Sequence, residues 1–215
     1  MDSRTFYGRW ARAYDAVAAA PGVQSWRERA VATLDLSPGD TAVEMGCGTG
    51  ANVPHLRERL GPGGRVVGVD VTRGMLRRAR EHDDRTGAGV HYLQSDAARP
   101  PVTVADAVLA TFVAGVFPDP GAVVEQWCDL VGPGGRVALL NFQRSDRRLA
   151  APLNLAFEGL VRLSAPGGRL SRSSQAAAFE GRVATARRAL RGRTDDPRFE
   201  TFAGGYVGLL SGRVT

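Results

Sequence analysis

A short apolar strand followed by closely spaced glycines constrains this chain more than any other feature. Residues 41–52 read Thr-Ala-Val-Glu-Met-Gly-Cys-Gly-Thr-Gly-Ala-Asn, so Gly46, Gly48 and Gly50 stand at every second position. Because glycine has no Cβ, such a loop turns sharply and lets its backbone approach a ligand closely. The pattern predicts a strand that ends in a ligand-binding turn, although a plain tight turn has the same composition.

Apolar runs alternate with helix-like stretches along the first two thirds of the chain. Val53, Leu56 and Leu60 recur at helical spacing, and Thr72 can cap a helix that holds Met75 and Leu76. The predicted strands are Thr41–Glu44, Arg65–Asp70, Val90–Gln94, Ala105–Thr111 and Arg136–Phe142. This alternation predicts an α/β fold with parallel strands and right-handed helical crossovers.

Three acidic residues, Glu44, Asp70 and Asp96, stand at or just past the ends of predicted strands. In a parallel sheet these ends share one edge, which is where ligands bind. Three acids there suit a ligand that is cationic, rich in hydroxyls and bears an amine. Each acid alone is also a plausible helix N-cap. Gly46-x-Gly48-x-x-Ala51 followed by Asp70 also fits the looser dinucleotide fingerprint, so a nicotinamide cofactor stays open at this point.

Length, cysteine content and charge narrow the class of protein. A chain of 215 residues with 43% hydrophobic residues predicts a single domain with a full core. Two cysteines, Cys47 and Cys128, without zinc spacing suit a reducing cytosol and predict no metal site. The apolar stretch 107–117 is too short to cross a bilayer, which predicts a soluble protein. Residues 1–135 contain 14 arginines and 16 acids, whereas residues 136–215 contain 14 arginines and 6 acids. The basic third predicts either a solvated face or contact with an anionic partner.

Three strings resemble, in order, the cofactor motifs of class I S-adenosylmethionine-dependent methyltransferases: residues 44–50, 67–80 and 94–97. Residues 106–142 resemble the fourth strand, helix and fifth strand of that fold. Three further segments are similar to the quinone-biosynthesis C-methyltransferases and lipid-headgroup N-methyltransferases of the methyltransferase type 11 group. They are Tyr14-Asp15, Trp26-Arg27 and residues 204–213. The resemblance implies a Rossmann-like seven-stranded methyltransferase fold, with a mostly parallel sheet, helices on both faces and an antiparallel last strand.

The resemblance also implies a division of the single domain 1–215. Residues 1–40 would form an N-terminal helical lid, 41–142 the cofactor-binding core, 143–198 a substrate-recognition insertion and 199–215 the terminal strands. S-adenosylmethionine would be the cofactor. The implied cofactor-binding residues are Tyr14, Glu44, Gly46, Cys47, Gly48, Asn52, Asp70, Val71, Met75, Asp96, Ala97 and Thr111.

The resemblance assigns a role to most of these residues. Backbone around Gly46 and Gly48 would hold the methionine moiety, and Asp70 would bind the ribose. Val71 and Met75 would flank the adenine, and Asp96 with Ala97 would meet its amine. Thr111 would line the methyl-transfer opening, and Tyr14 would close over the cofactor. The sequence assigns no catalytic residue.

The implied function is methyl transfer to a small-molecule or amphiphilic acceptor, which would be a quinone precursor, a lipid headgroup or a secondary metabolite. We expect a cytoplasmic protein, with peripheral contact to an anionic membrane as one alternative. Asn141-Phe142-Gln143 replaces the Glu-Phe-Ser string that is usual in the quinone enzymes, which argues against a quinone. A nucleic-acid methyltransferase would use the basic third, but the expected Asn/Asp-Pro-Pro-aromatic string is missing. A short-chain dehydrogenase would need a lysine, and the chain has none. A non-catalytic binding protein remains open.

Overall fold

The architecture comes from a computed structural model that describes residues 21–83, 89–145 and 172–215. Seven strands form one sheet in the order β3-β2-β1-β4-β5-β7-β6. Their bounds are β1 Thr41–Met45, β2 Arg65–Asp70, β3 Val90–Gln94, β4 Ala107–Thr111, β5 Arg136–Phe142, β6 Thr194–Phe202 and β7 Val207–Val214. The helices are α1 Pro21–Ala32, α2 Val53–Leu60, α3 Arg73–Asp83, α4 Pro120–Val131 and α5 Arg172–Gly192.

The sheet is mostly parallel, as the sequence predicted. β1 to β5 pair in parallel, and β7 runs antiparallel to both β5 and β6. Strands β2, β3 and β5 have the predicted bounds, whereas β1 extends to Met45 and β4 begins at Ala107. The carboxyl ends of β1, β2, β3 and β4 therefore meet at one edge of the sheet.

Local sequence explains where the helices begin and end. The Asp119 side chain accepts a hydrogen bond from the Ala122 N–H at 3.1 Å and caps α4, which opens with Pro120 and closes at Gly132. Pro54 lies in the first turn of α2, where its missing N–H costs nothing. These caps and breaks bound α2 between β1 and β2, and α4 between β4 and β5.

Helices cover both faces of the sheet, which confirms the predicted fold class. On one face α4 and α5 bury Trp127, Val124 and Leu190 against the strands. On the other face α1 and α2 bury Val31 and Leu56. Within the described residues, no helix combines the length and apolar character needed to cross a bilayer.

Candidate functional site

The glycine loop follows β1 and is tied to the neighbouring strand β2. The N–H groups of Gly46 and Cys47 donate to the carbonyl oxygen of Val69 at 2.8 and 3.0 Å. Gly46, Gly48 and Gly50 all have positive φ angles, of 69°, 56° and 80°. A Cβ on Gly46 would lie 2.7 Å from Cγ2 of Val113. Both the backbone conformation and the space at Gly46 therefore exclude a larger residue.

Asp70 ends β2 and binds the glycine loop directly. Its Oδ2 accepts a hydrogen bond from the Gly48 N–H at 3.0 Å, and its Oδ1 accepts one from the Thr72 N–H at 2.7 Å. Each carboxylate oxygen can accept more than one hydrogen bond, so the side chain retains acceptor capacity. Asp70 thus joins the loop after β1 to the start of α3.

Val71, Met75, Asp96 and Ala97 lie farther along the same edge. Val71 is 70% exposed, which is unusual for a large apolar side chain, and Met75 is half-buried. Asp96 is exposed, and its Oδ1 accepts from the Ala98 N–H at 2.9 Å. Ala97 is buried, and its carbonyl oxygen accepts from Trp127 Nε1 at 2.8 Å. The edge therefore offers an exposed apolar surface beside an exposed carboxylate.

A buried polar cluster lies beneath the loop and consists of Arg27, Glu44, Asn52 and Thr111. Asn52 Nδ2 donates to Glu44 Oε1 at 2.5 Å and to Thr111 Oγ1 at 3.0 Å. Arg27 Nη1 donates to Asn52 Oδ1 at 3.1 Å and to Thr111 Oγ1 at 3.2 Å. All four side chains are at least 96% buried. The cluster links α1, β1, β4 and the loop that precedes α2.

Burial dominates the electrostatics of Glu44. Loss of hydration raises the pKa of Glu44 to about 7, although the Asn52 hydrogen bond and the Arg27 charge lower it. Its Oε2 is buried and has no hydrogen-bond partner among the described residues. Burial also raises the pKa of the neighbouring Cys47 thiol, which keeps that sulfur protonated and unreactive.

Sequence reasoning did not single out two residues of this region. Arg27 was noted only within a resembling string, but it falls at the same spacing as Val23 and Val31 on the buried face of α1. Phe112 follows Thr111 with a positive φ of 61°, stacks on Phe142 at 4.3 Å and lies 5.4 Å from the Arg27 guanidinium. A charged residue at an apolar helix position was the available signal for Arg27, whereas Phe112 has no sequence signal.

Tyr14 is the last of the predicted site residues, and the histidines are the side chains whose ordinary pKa suits a general base. Tyr14 is outside the described residues. Nε2 of His55 lies 2.9 Å from Gln24 Oε1, and burial lowers the pKa of this imidazole. His82 and His91 are exposed. No catalytic residue was assigned from the sequence.

Known proteins are similar to this chain in sequence. The family described as "Methyltransferase domain" matches residues 42–135. The phosphatidylethanolamine N-methyltransferase of Cereibacter sphaeroides is 34% identical over 67% of this chain and 70% of its own. The 2-phytyl-1,4-naphtoquinone methyltransferase of Thermosynechococcus vestitus is 37% identical over 54% of this chain, which spans about half (52%) of that protein's length.

A solved structure shows the same fold at low sequence identity. The magnesium protoporphyrin IX methyltransferase of Synechocystis PCC 6803 superposes with a TM-score of 0.67 and 20% identity, over 98% of this chain and 95% of that one. Fold and sequence agree: this chain belongs to the class I S-adenosylmethionine-dependent methyltransferases, and S-adenosylmethionine is the cofactor of that class. The predicted family is confirmed.

Proposed function

We propose that this protein transfers the methyl group of S-adenosylmethionine to a small-molecule or amphiphilic acceptor, such as a quinone precursor, a lipid headgroup or a secondary metabolite. The observation that carries the proposal is the hydrogen bond between Asp70 and the Gly48 N–H. It joins the glycine loop to a carboxylate with spare acceptor capacity at the ligand-binding edge of the sheet.

The chemistry of this edge fits the cofactor. The ligand's ammonium and sulfonium are cationic, and Glu44 supplies a buried carboxyl oxygen without a partner beneath the loop. In this proposal Gly46, Cys47 and Gly48 hold the methionine moiety, with Asn52 orienting Glu44. Asp70 accepts from the ribose hydroxyls. Val71 and Met75 flank the adenine, and Asp96 with Ala97 meets its amine. Thr111 lines the methyl-transfer opening, and Tyr14 closes over the cofactor.

The reaction needs positioning more than proton transfer. The bound cofactor supplies a methyl group already activated by the sulfonium. The protein's task is to align the acceptor with the sulfur–methyl bond and to exclude water, and such alignment alone can supply much of the acceleration. Phe112 and Phe142 form a stacked aromatic pair after β4 and β5, where an acceptor would approach. In this proposal the protein's residues accelerate the reaction by binding and orienting the acceptor.

The proposal extends to the cellular setting. We infer a cytoplasmic protein that contacts anionic membranes peripherally. The support is the basic character of residues 136–215 and the lipid substrate in the name of the Cereibacter relative. A lipid or lipid-like acceptor would be presented at such a surface.

Asp70→Ala tests the cofactor site. We expect the affinity for S-adenosylmethionine to fall at least tenfold, about 1.4 kcal/mol, because a hydrogen-bonded carboxylate is lost. Isothermal titration calorimetry measures the affinity of both proteins for S-adenosylmethionine. Asp119→Ala is the control, since it also removes a carboxylate that accepts a backbone N–H, one at the start of α4 against two at Asp70. Unchanged affinity in Asp70→Ala would refute the assignment.

Isotopic labelling identifies the methyl acceptor. The protein is incubated with isotopically labelled S-adenosylmethionine and a cell extract, and the labelled product is identified. Label in a small molecule or lipid supports the proposal, whereas label in RNA or DNA supports a nucleic-acid methyltransferase that uses the basic third. Tight cofactor binding with no labelled product in any fraction indicates a non-catalytic binding protein.

A further inference from the structure

A basic cleft of about 510 Å³ lies between α5 and strand β6, beside the end of β5. Its lining includes Gln143 just past β5, Arg187, Arg188 and Arg191 of α5, and Phe199 of β6. None of these residues belongs to the proposed cofactor set, although Phe142, proposed to lie where the acceptor approaches, also lines the cleft. The cleft therefore requires an explanation of its own.

Two guanidinium groups converge on one aromatic ring inside the cleft. The Arg187 guanidinium carbon lies 4.9 Å from the centre of the Phe199 ring, and that of Arg191 lies 5.6 Å from the same point. Phe199 is nevertheless 43% exposed, so part of the ring faces the cleft. Such stacking orients each guanidinium but leaves its N–H edges available to a ligand.

Glu180 also lines the cleft, but it pairs with Arg144 at 3.6 Å and leaves the positive charge of the neighbouring α5 arginines unbalanced. Arg187 donates to two neutral oxygens, Gln143 Oε1 at 2.6 Å and the Gly208 carbonyl at 3.3 Å. Among the described residues, Arg187, Arg188 and Arg191 form no ion pair. Burial and the neighbouring Arg191 lower the pKa of Arg187 to about 10. An anion between these side chains would relieve their repulsion.

The strand beneath the cleft leaves room for this arrangement. Gly208 of β7 faces Arg187, and a Cβ there would collide with Arg187 Nη2 and with Gln143 Oε1. The Phe199 ring would lie 3.0 Å from the same Cβ. The partly buried guanidinium is thus held by Gly208, Gln143 and Phe199 together. Contacts within the fold therefore fix the position of the Arg187 guanidinium, which does not depend on the choice of a surface rotamer.

We propose that this cleft binds an oxyanion, a phosphate or carboxylate group, through Arg187 and Arg191. Guanidinium groups bind such anions through paired, charge-assisted hydrogen bonds. The exposed part of Phe199 favours an anion attached to an apolar or aromatic body. The proposal goes beyond methyl transfer, because binding at this site does not require the cofactor.

The test is calorimetric titration of the full chain with inorganic phosphate, phenyl phosphate and benzoate at 150 mM salt. We expect saturable binding by the unchanged protein and at least fivefold weaker binding by Arg191→Gln. Arg198→Gln is the matched control: it removes the same charge from β6, at an exposed side chain that pairs with Asp196 outside the cleft. It should bind the anions as the unchanged protein does. Because Arg187 is partly buried, Arg187→Gln is interpreted only if its thermal unfolding matches that of Arg191→Gln.

A vesicle assay distinguishes the two sources of the anion. If the soluble anions bind with this variant pattern, the ligand is a free anionic molecule. If only phosphatidylglycerol vesicles bind, and Arg191→Gln loses more binding than Arg198→Gln, the ligand is a lipid headgroup. No binding in either assay, or equal loss in the two variants, overturns the proposal. S-adenosylmethionine titration of Arg191→Gln should be unchanged, so a failure of the cofactor site is seen separately.

Discussion

Arg27 places a guanidinium group in a buried cluster of polar side chains. It is 2% exposed and donates hydrogen bonds to Asn52 and Thr111, which are buried polar residues. Removing one partner from a buried polar network leaves the others unsatisfied, and this costs more than the contact itself. Arg27 thereby connects helix α1 to the loop that is proposed to hold the cofactor.

Arg27→Met should lower the free energy of unfolding by about 3 kcal/mol, the magnitude expected for a broken buried charge network. It should also raise the pKa of Glu44 above about 7, because the Arg27 charge lowers that pKa. Urea denaturation and carboxyl carbon NMR measure the two effects. Arg29→Met is the control, since Arg29 forms an exposed ion pair with Glu200 and should cost less than about 1 kcal/mol. Equal losses in the two variants would contradict a special role for Arg27.

Glu44 should make the stability of the protein depend on pH. Its pKa is raised from 4.5 to about 7 in the fold, so the folded state binds the proton more tightly than the unfolded chain does. The resulting stabilisation is complete below about pH 4.5 and is lost as the pH rises to about 7. Across this window the free energy of unfolding should fall with a slope of up to about 1.4 kcal/mol per pH unit from this group.

Glu44→Gln should remove that slope, because the amide does not titrate. Urea denaturation at pH 5, 6, 7 and 8 measures the free energy of unfolding and therefore its slope with pH. Glu58→Gln, on the exposed side of α2, should keep the slope of the unchanged protein. A slope that persists in Glu44→Gln would assign the pH dependence to another group.

At the scale of elements, the glycine loop was accessible to sequence reasoning because its signal is local. Glycine spacing, the strand before it and the acid at the end of β2 are all read within about 30 residues of chain. The bounds of β2, β3 and β5 were predicted for the same reason, since each strand begins directly after a glycine. The positive φ angles of Gly46 and Gly48 give this pattern its physical cause.

The polar cluster and the basic cleft were not accessible in that way. Arg27 meets Thr111 across 84 positions, and Arg187 meets Gln143 across 44. Those contacts depend on which face each helix presents and on the place of β7 between β5 and β6. Periodicity predicts that a helix has a buried face, but not which strand that face contacts. The roles of the individual cofactor-binding residues stay predictions.

Gly46→Ala tests how strictly the loop requires glycine. With φ at 69° and a Cβ 2.7 Å from Val113, we expect a loss of about 1 to 3 kcal/mol of unfolding free energy and weaker cofactor binding. Gly74→Ala is the matched control, because a Cβ there meets nothing within 4 Å and lies in helix α3. That variant should gain about 0.5 to 1 kcal/mol. Similar stability in the two variants would show that the loop tolerates a side chain.

At the scale of the whole molecule, the last strand joins the two cores. β7 contributes Leu210 and Val214 to the cluster under α4 and α5, and Val207 and Leu209 to the cluster under α1 and α2. It is the final strand in the chain, yet it lies inside the sheet between β5 and β6. Both cores therefore depend on the last residues of the chain, and they should unfold together.

Leu209→Ala and Leu210→Ala probe the two faces of β7 separately. Each side chain is fully or almost fully buried, so each truncation should cost about 2 to 5 kcal/mol. Trp127 reports on one core and Trp26 on the other, because each packs against a different cluster. In variants that retain only one of the three tryptophans, Trp127 or Trp26, urea unfolding should give the same midpoint for both reporters. Each leucine truncation should shift both midpoints equally, whereas Val104→Ala, at a side chain 73% exposed, should shift neither. Separate midpoints would mean that the two faces of the sheet unfold as independent units, since the shared strand β7 would otherwise couple them.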